Sequence, residues 1–269
     1  MNKVILILSD GLRYGTAVAG MGYLGHLVET KQASLFKVMG ELPSMSRPMY
    51  ETIHTGLPSS EHGIVANSIV RLSTKPNIFQ LAKQAGKVTA AAAYSFFSEL
   101  YNRVPYDPVE DKEVDDVSLL IQHGRFYTAD EYPDIELLHT AAALVRRFQP
   151  DYLLLHPMGM DYHGEMYGSD SKEYRTHAIH QDMGLAPFIP EWKEHGYNIF
   201  LTGDHGINQD GAHGGTTSEM REVPLYVIRP GFEGRGDTKE TISQLQIAPT
   251  ILKLMDIPIP EIMKYPSLF

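Results

Sequence analysis

The 269-residue sequence contains no cysteine, which excludes disulfides and thiolate metal sites and leaves His, Asp and Glu to hold any transition metal. Twelve histidines make such a site feasible. Long apolar runs are also missing: no window holds the roughly 18 apolar residues that a membrane helix needs, so no membrane partner is expected. The one apolar run near the start, Val4 to Leu8, is too short for the core of a signal peptide and is followed at once by Asp10. It reads as the first core strand of a cytoplasmic chain. Basic residues are scarce, with 23 Lys and Arg against 33 Asp and Glu and a formal net charge of −10. That balance argues against a nucleic-acid polymer as partner and for a small-molecule substrate. What remains, 43% hydrophobic and 21% charged residues, is the composition of a soluble globular protein.

Val4-Ile5-Leu6-Ile7-Leu8, closed by Ser9-Asp10-Gly11, has the continuous β-branched and apolar character of a strand buried on both faces of a parallel sheet. The same pattern recurs at 88–94, 152–155, 199–201 and 225–228, with enough chain between for helical crossovers. Helices are expected at 77–84, 135–148, 172–185 and 242–255, covering both sheet faces. No repeat or low-complexity linker divides the chain. The expected fold is therefore a single α/β domain over residues 1–269, a three-layer α/β/α sandwich around a mostly parallel sheet, with residues 96–132 long enough for a small lid.

In such sheets ligands bind beyond the carboxyl ends of the strands, and polar residues collect there in this sequence. Asp10 follows the first strand, Asp161 follows the third, and Asp204-His205 follow the fourth, with His213 eight residues on. An isolated Asp-Gly is more often a turn than a ligand; the collection carries the inference. In Gly203-Asp204-His205-Gly206 an adjacent acid and imidazole can face different metal ions while the glycines admit close backbone approach. Nucleophile candidates lie in Leu42-Pro43-Ser44-Met45-Ser46-Arg47-Pro48-Met49-Tyr50, ahead of a helix reaching Thr55-Gly56. A serine at a helix N-terminus meets free N–H groups that favour a phosphate, and a neighbouring cation can activate it without a histidine base. Ser44 and Ser46 both suit a plain helix cap, and local sequence does not choose between them.

Ile5-Leu6-Ile7-Leu8-Ser9-Asp10-Gly11, Thr55-Gly56-Leu57-Pro58 with Glu61-His62-Gly63-Ile64, and Gly203-Asp204-His205-Gly206, in that order, resemble the alkaline phosphatase superfamily. Within it they are most similar to the type I phosphodiesterase/nucleotide pyrophosphatase group. The resemblance implies an alkaline phosphatase-like fold and a nucleophile nine residues before the Thr of the Thr-Gly pair, which is Ser46 rather than Ser44. It also implies two divalent ions, Zn²⁺ first with Mn²⁺ as competitor. Asp10, Ser46, Asp204 and His205 would surround one ion; Asp161, Glu165 and His213 would surround the other.

Two positions depart from the family pattern. Glu165 stands where a histidine is usual, which should harden that site toward Mn²⁺ or Mg²⁺, with His163 as the alternative ligand. Met49 replaces a phosphate-binding asparagine and cannot donate a hydrogen bond, so Arg47 and Arg13 are the candidates for substrate binding. A sulfatase is excluded, because its modified cysteine and the arginine four residues later are replaced by Ser46 and Tyr50. The implied activity is hydrolysis of a small phosphodiester, a nucleotide included, through a covalent Ser46 intermediate. Tyr94, Tyr101 and Tyr106 are candidates for stacking a base. A monoesterase or phosphonate hydrolase is the alternative, and a non-catalytic metal-binding homologue ranks third.

Overall fold

In the computed structural model, which describes residues 2–269, the central strands form where the chain runs apolar without a helical period, and there are nine strands in all. They are β1 (Lys3–Leu8), β2 (Ser34–Met39), β3 (Thr89–Tyr94), β4 (Glu113–Asp115), β5 (His123–Tyr127), β6 (Tyr152–Leu155), β7 (Tyr197–Thr202), β8 (Glu222–Ile228) and β9 (Gly236–Ser243). All nine make one sheet in the order β4-β5-β3-β6-β1-β7-β8-β2-β9. The centre β5-β3-β6-β1-β7 is parallel throughout, and β2 pairs in parallel with β9.

Side-chain alternation divides the core into two layers. Val4, Leu6 and Leu8 of β1 face one apolar cluster, and Ile5 and Ile7 face the other. The first cluster is closed by the helices Ser46–Thr55, Ile78–Gln84, Phe96–Tyr101 and Ile247–Leu254. The second is closed by Asp134–Phe148, Lys172–Leu185 and Phe188–Glu194, with Tyr14–Gly20 and Gly22–Glu29 beside them. The three-layer α/β/α architecture is thus present. Among the described residues no helix is long and apolar enough to cross a membrane.

Several details differ from the sequence expectation. The strand expected at 225–228 belongs to β8, which runs antiparallel to both β7 and β2. Four strands lacked the continuous apolar signature: β2 is interrupted by Lys37, β4 and β5 lie at one edge, and β9 is the polar opposite edge. The stretch 96–132, with room for a lid, contributes a helix, the edge strand β4 and its neighbour β5. The helix expected at 242–255 is three elements. Ile242 and Ser243 are the last two residues of β9, a single 3₁₀ turn spans Gln244–Gln246, and the α-helix begins at Ile247. A reciprocal capping box between Ser243 and Gln246 starts the turn and breaks the apolar period.

Candidate active site

The parallel direction of β1, β6 and β7 puts their carboxyl ends on one edge of the sheet, and β2, antiparallel to β8, runs the same way as β7. β1 delivers Asp10, and β6 leads into the helix Gly159–Tyr167, whose first turn carries Asp161. β7 delivers Asp204 and His205, and β2 leads to the helix Ser46–Thr55, of which Ser46 is the first residue and all ten are buried. Close backbone approach is required here. Gly11, at φ +70°, lies where a Cβ would come 2.8 Å from the Asp161 Cα, and a Cβ on Gly206 would come 2.1 Å from the Glu219 carbonyl oxygen.

These side chains converge. Ser46 Oγ is 3.3 Å from His205 Nε2, and the same nitrogen lies 3.4 Å from Asp10 Oδ1 and 3.3 Å from Asp204 Oδ2. Two groups of potential ligand atoms result, Asp10 with Asp204 and His205, and Asp161 with His205 and His213, each within 4.8 Å. The rings of His205 and His213 stack at 4.2 Å. His213 Nε2 also meets Glu165 Oε1 at 3.0 Å. His163 is directed elsewhere: its Nδ1 donates to the Gly159 carbonyl at 2.7 Å and its ring stacks on His177. Ser44 Oγ donates to the Gly215 carbonyl at 2.8 Å, which ties the His213 loop to the segment ahead of Ser46.

Asp10 Oδ1, Asp161 Oδ1 and Asp204 Oδ2 are buried without a hydrogen-bond partner. Bare carboxylate oxygens are costly to bury, so their convergence with two imidazoles fits divalent cations, for which O and N donors are suitable ligands. The electrostatics agree. Burial, and then the charge of Asp10, push the carboxyls of Asp161 and Asp204 well above the ordinary carboxylate range. Asp10 itself, despite its burial, is held down at about 2 by its hydrogen bonds to His156 and Tyr50. Burial and then His213 press His205 down to about 3, so it is a neutral imidazole with a lone pair to offer. Burial also pulls His213 down, but its hydrogen bond to Glu165 carries it up on balance.

The sequence model of the type I phosphodiesterase / nucleotide pyrophosphatase family matches residues 4–212, which span every residue of this centre except His213. The chain belongs to that family. Among its relatives, human GPI ethanolamine phosphate transferase 2, catalytic subunit, is 24% identical over 97% of this chain and 27% of its own length. GPI ethanolamine phosphate transferase 2 of Aspergillus oryzae is 25% identical over 88% of this chain and 29% of its own length. The chain thus spans little more than a quarter of these two relatives. Among solved structures, murine ectonucleotide pyrophosphatase / phosphodiesterase 5 superposes with a TM-score of 0.73 at 13% identity, covering 96% of both chains. Phosphonate monoester hydrolase from Silicibacter pomeroyi gives 0.67 at 16% identity over all of this chain and 76% of that one. Both show the fold that this family member shares with the alkaline phosphatase superfamily.

Around the centre of this phosphodiesterase-family fold, two residues escaped the sequence reading. Tyr50 and His156 both bond Asp10, the latter from Nε2 to Oδ2 at 3.1 Å. Signals for both existed: Tyr50 is one helical turn beyond Ser46, and His156 directly follows a buried strand. Arg47 is buried rather than on the surface. Its Nη2 donates to Glu99 at 2.7 Å, its Nε donates to the Asn67 carbonyl at 2.9 Å, and its guanidinium lies 3.7 Å over the Phe96 ring, while Nη1 has no partner. Arg13 instead reaches the loop before the helix Lys172–Leu185, donating to Ser169 and Asp170. Met49 is in the core. Of the stacking candidates, Tyr101 is buried with its hydroxyl on Glu51, Tyr106 packs edge-on to Phe126, and the half-buried Tyr94 stands against Phe96 and Tyr127. The Arg47 N–H is taken by Asn67 Oδ1 at 2.9 Å and Pro48 has none, so the first helical turn offers fewer free donors than a typical helix start.

Proposed function

We propose that the chain is a metal-dependent enzyme that cleaves small phosphodiesters with Ser46 as nucleophile. The observation carrying this reading is the position of Ser46 Oγ, 3.3 Å from His205 Nε2, the same nitrogen that the bare oxygens of Asp10 and Asp204 approach. Two divalent ions, Zn²⁺ first and Mn²⁺ as competitor, would be held by Asp10, Ser46, Asp204 and His205 and by Asp161, Glu165 and His213, supplying the positive charge that acidifies the Ser46 hydroxyl and neutralises the phosphate. The chain supplies placement. The buried helix fixes Ser46 Oγ, which bonds to phosphorus as the bond to the leaving alcohol breaks and the hydroxyl proton passes to solvent. Water then cleaves the phosphoserine ester, Ser46 Oγ regains a proton, and configuration at phosphorus is retained overall. Arg47 Nη1, charged and without a partner, is the donor to a non-bridging oxygen that Met49 is not.

A second reading is favoured by the alignment that covers 97% of this chain with an ethanolamine phosphate transferase. In it an alcohol takes the place of water in the second step, and the transferred group is phosphoethanolamine. Wild type, Ser46→Ala and Ser44→Ala, each loaded with Zn²⁺ or Mn²⁺, are to be assayed with bis-nitrophenyl phosphate, nitrophenyl phosphate and phosphonoacetate. The expectation is diester turnover that falls about 10³-fold or more in Ser46→Ala, with metal content retained, and persists in Ser44→Ala. Full activity in Ser46→Ala refutes the assignment. Turnover of the monoester or phosphonate alone favours those activities, and turnover of none favours a binding protein. Phosphorus NMR of products formed with added ethanolamine or glycerol distinguishes hydrolysis from transfer.

A further inference from the structure

We propose that Tyr50 and His156 are positioning residues that occupy one oxygen of Asp10 so that the carboxylate can offer only the other to an ion. The inference rests on the reading above, in which Asp10 holds a metal. Both partners meet the same atom. The Tyr50 hydroxyl donates to Oδ2, and His156 Nε2 reaches Oδ2 at 3.1 Å, whereas Oδ1 has no hydrogen bond and faces His205 Nε2 at 3.4 Å. A carboxylate with one oxygen saturated by two donors and the other bare is preset for single-oxygen ligation.

The donor directions follow from the partners. A hydroxyl facing a carboxylate oxygen is its donor, as Tyr50 is to Oδ2. His156 Nδ1 is buried without a partner while Nε2 faces Oδ2, so the N–H that the ring offers is the one on Nε2. The clamp is rigid. The Tyr50 ring stacks on Phe97 at 4.3 Å and meets His156 edge-on at 4.8 Å, and His156 packs on Phe97 at 4.9 Å.

Chain connectivity gives the clamp a second role. Tyr50 is on the helix that begins with Ser46, and His156 lies between β6 and the helix carrying Asp161. Asp10 is thereby tied to the elements that deliver the nucleophile and the second group of ligands, which fixes their mutual spacing. His54, by contrast, bonds the Tyr50 carbonyl and the Tyr152 hydroxyl, burial holding it at about 4, and serves the packing beneath.

The test uses the full chain stripped of metal. Zn²⁺ affinity is measured by competition with a chromophoric chelator, and the visible spectrum is recorded after loading with Co²⁺, for wild type, Tyr50→Phe, His156→Gln and His156→Leu. Tyr50→Phe retains the ring and should bind Zn²⁺ about 10–100-fold more weakly, with a changed Co²⁺ spectrum as Oδ2 becomes free. His156→Gln keeps a donor and should stay near wild type, while His156→Leu should lose affinity. The thermal midpoint of each metal-free variant reports folding separately. Wild-type affinity and spectrum in Tyr50→Phe overturn the inference, as does equal behaviour of the two His156 variants, whether loss or retention. A wild-type chain that takes up no metal overturns the metal reading and this inference together; equal binding by wild type and Tyr50→Phe overturns this inference alone.

Discussion

Replacing Asp204 by asparagine should stabilise the metal-free protein and destabilise the metal-loaded one. In the metal-free chain Asp204 is fully buried, its Oδ2 has no partner, and burial together with Asp10 raises its carboxyl well above the ordinary value of 3.8. The folded state then either carries a bare charge or holds a proton that the unfolded state has released. Both alternatives favour unfolding. A folded pKa above the unfolded one gives no penalty below about pH 3.8, where both states are protonated; the penalty grows as pH rises through that value and levels off above the folded pKa. Asparagine removes it and keeps an oxygen for the Gly11 N–H, which Asp204 Oδ1 accepts at 3.1 Å. With an effective cost of several kcal/mol for an uncompensated buried ion, a gain of about 3 kcal/mol is expected at pH 8. At roughly 2–4 °C per kcal/mol for a chain of this size, the midpoint rises by about 6–12 °C. With Zn²⁺ the sign reverses, because wild type gains about 4 kcal/mol of linkage at a thousandfold excess over its Kd while the variant has lost a ligand. Scanning calorimetry in chelator and in Zn²⁺, at pH 4 and pH 8, tests all of this. An asparagine variant less stable than wild type in chelator at pH 8, or one with the same advantage at pH 4, would refute the charge argument.

Two further perturbations probe the flanks of the centre. Glu165→His should bind the second ion more tightly and shift preference from Mn²⁺ toward Zn²⁺, read by competition titration; unchanged selectivity would mean that Glu165, 3.0 Å from His213, is a bystander. Arg47→Met keeps an apolar body over Phe96 but strands Glu99, whose side chain is only 13% exposed. It should cost about 3 kcal/mol in denaturant unfolding and raise KM for a diester; an unchanged KM would remove Arg47 from the substrate contacts.

The legible parts of the molecule were those where one physical requirement fixes residue type. Strands β1, β6 and β7 are covered on both faces, so each is built around a continuous apolar stretch, Val4–Leu8, Tyr152–Leu155 and Ile199–Leu201, and the polar residues that follow stand out. The edge strand β9 has no such requirement: Gly-Asp-Thr-Lys-Glu-Thr-Ile-Ser has a mostly exposed middle and pairs with β2 alone, so its strand character comes from a neighbour distant in sequence. The burial of Arg47, a residue the sequence did single out, was illegible for the opposite reason. Arginine is seldom buried, and only the folded arrangement brings Glu99 and Phe96 to it, from the exit of β3. Tyr50 and His156 were hidden by their ambiguity as residue types, since a tyrosine in a helix and a histidine after a strand are ordinary core material until Asp10 lies between them.

Glu165, standing where the family resemblance implies a histidine, also bears on substrate choice. Asp10, Asp161, Glu165 and Asp204 together carry four negative charges when ionised, and a Ser46 oxyanion would add a fifth, against the four positive charges that the two proposed divalent ions would bring. With histidine at position 165 the sum would be neutral; with Glu165 it is one unit negative. A phosphodiester brings one negative charge and a monoester close to two, so the extra unit of repulsion falls more heavily on the monoester. Glu165 sits at the rim with its side chain 49% exposed, where solvent weakens but does not abolish such a difference. If two ions bind as proposed, the Glu165→His variant should raise monoester turnover relative to diester turnover, most visibly at low ionic strength. A ratio unchanged by both the substitution and salt would place the source of selectivity elsewhere in the site.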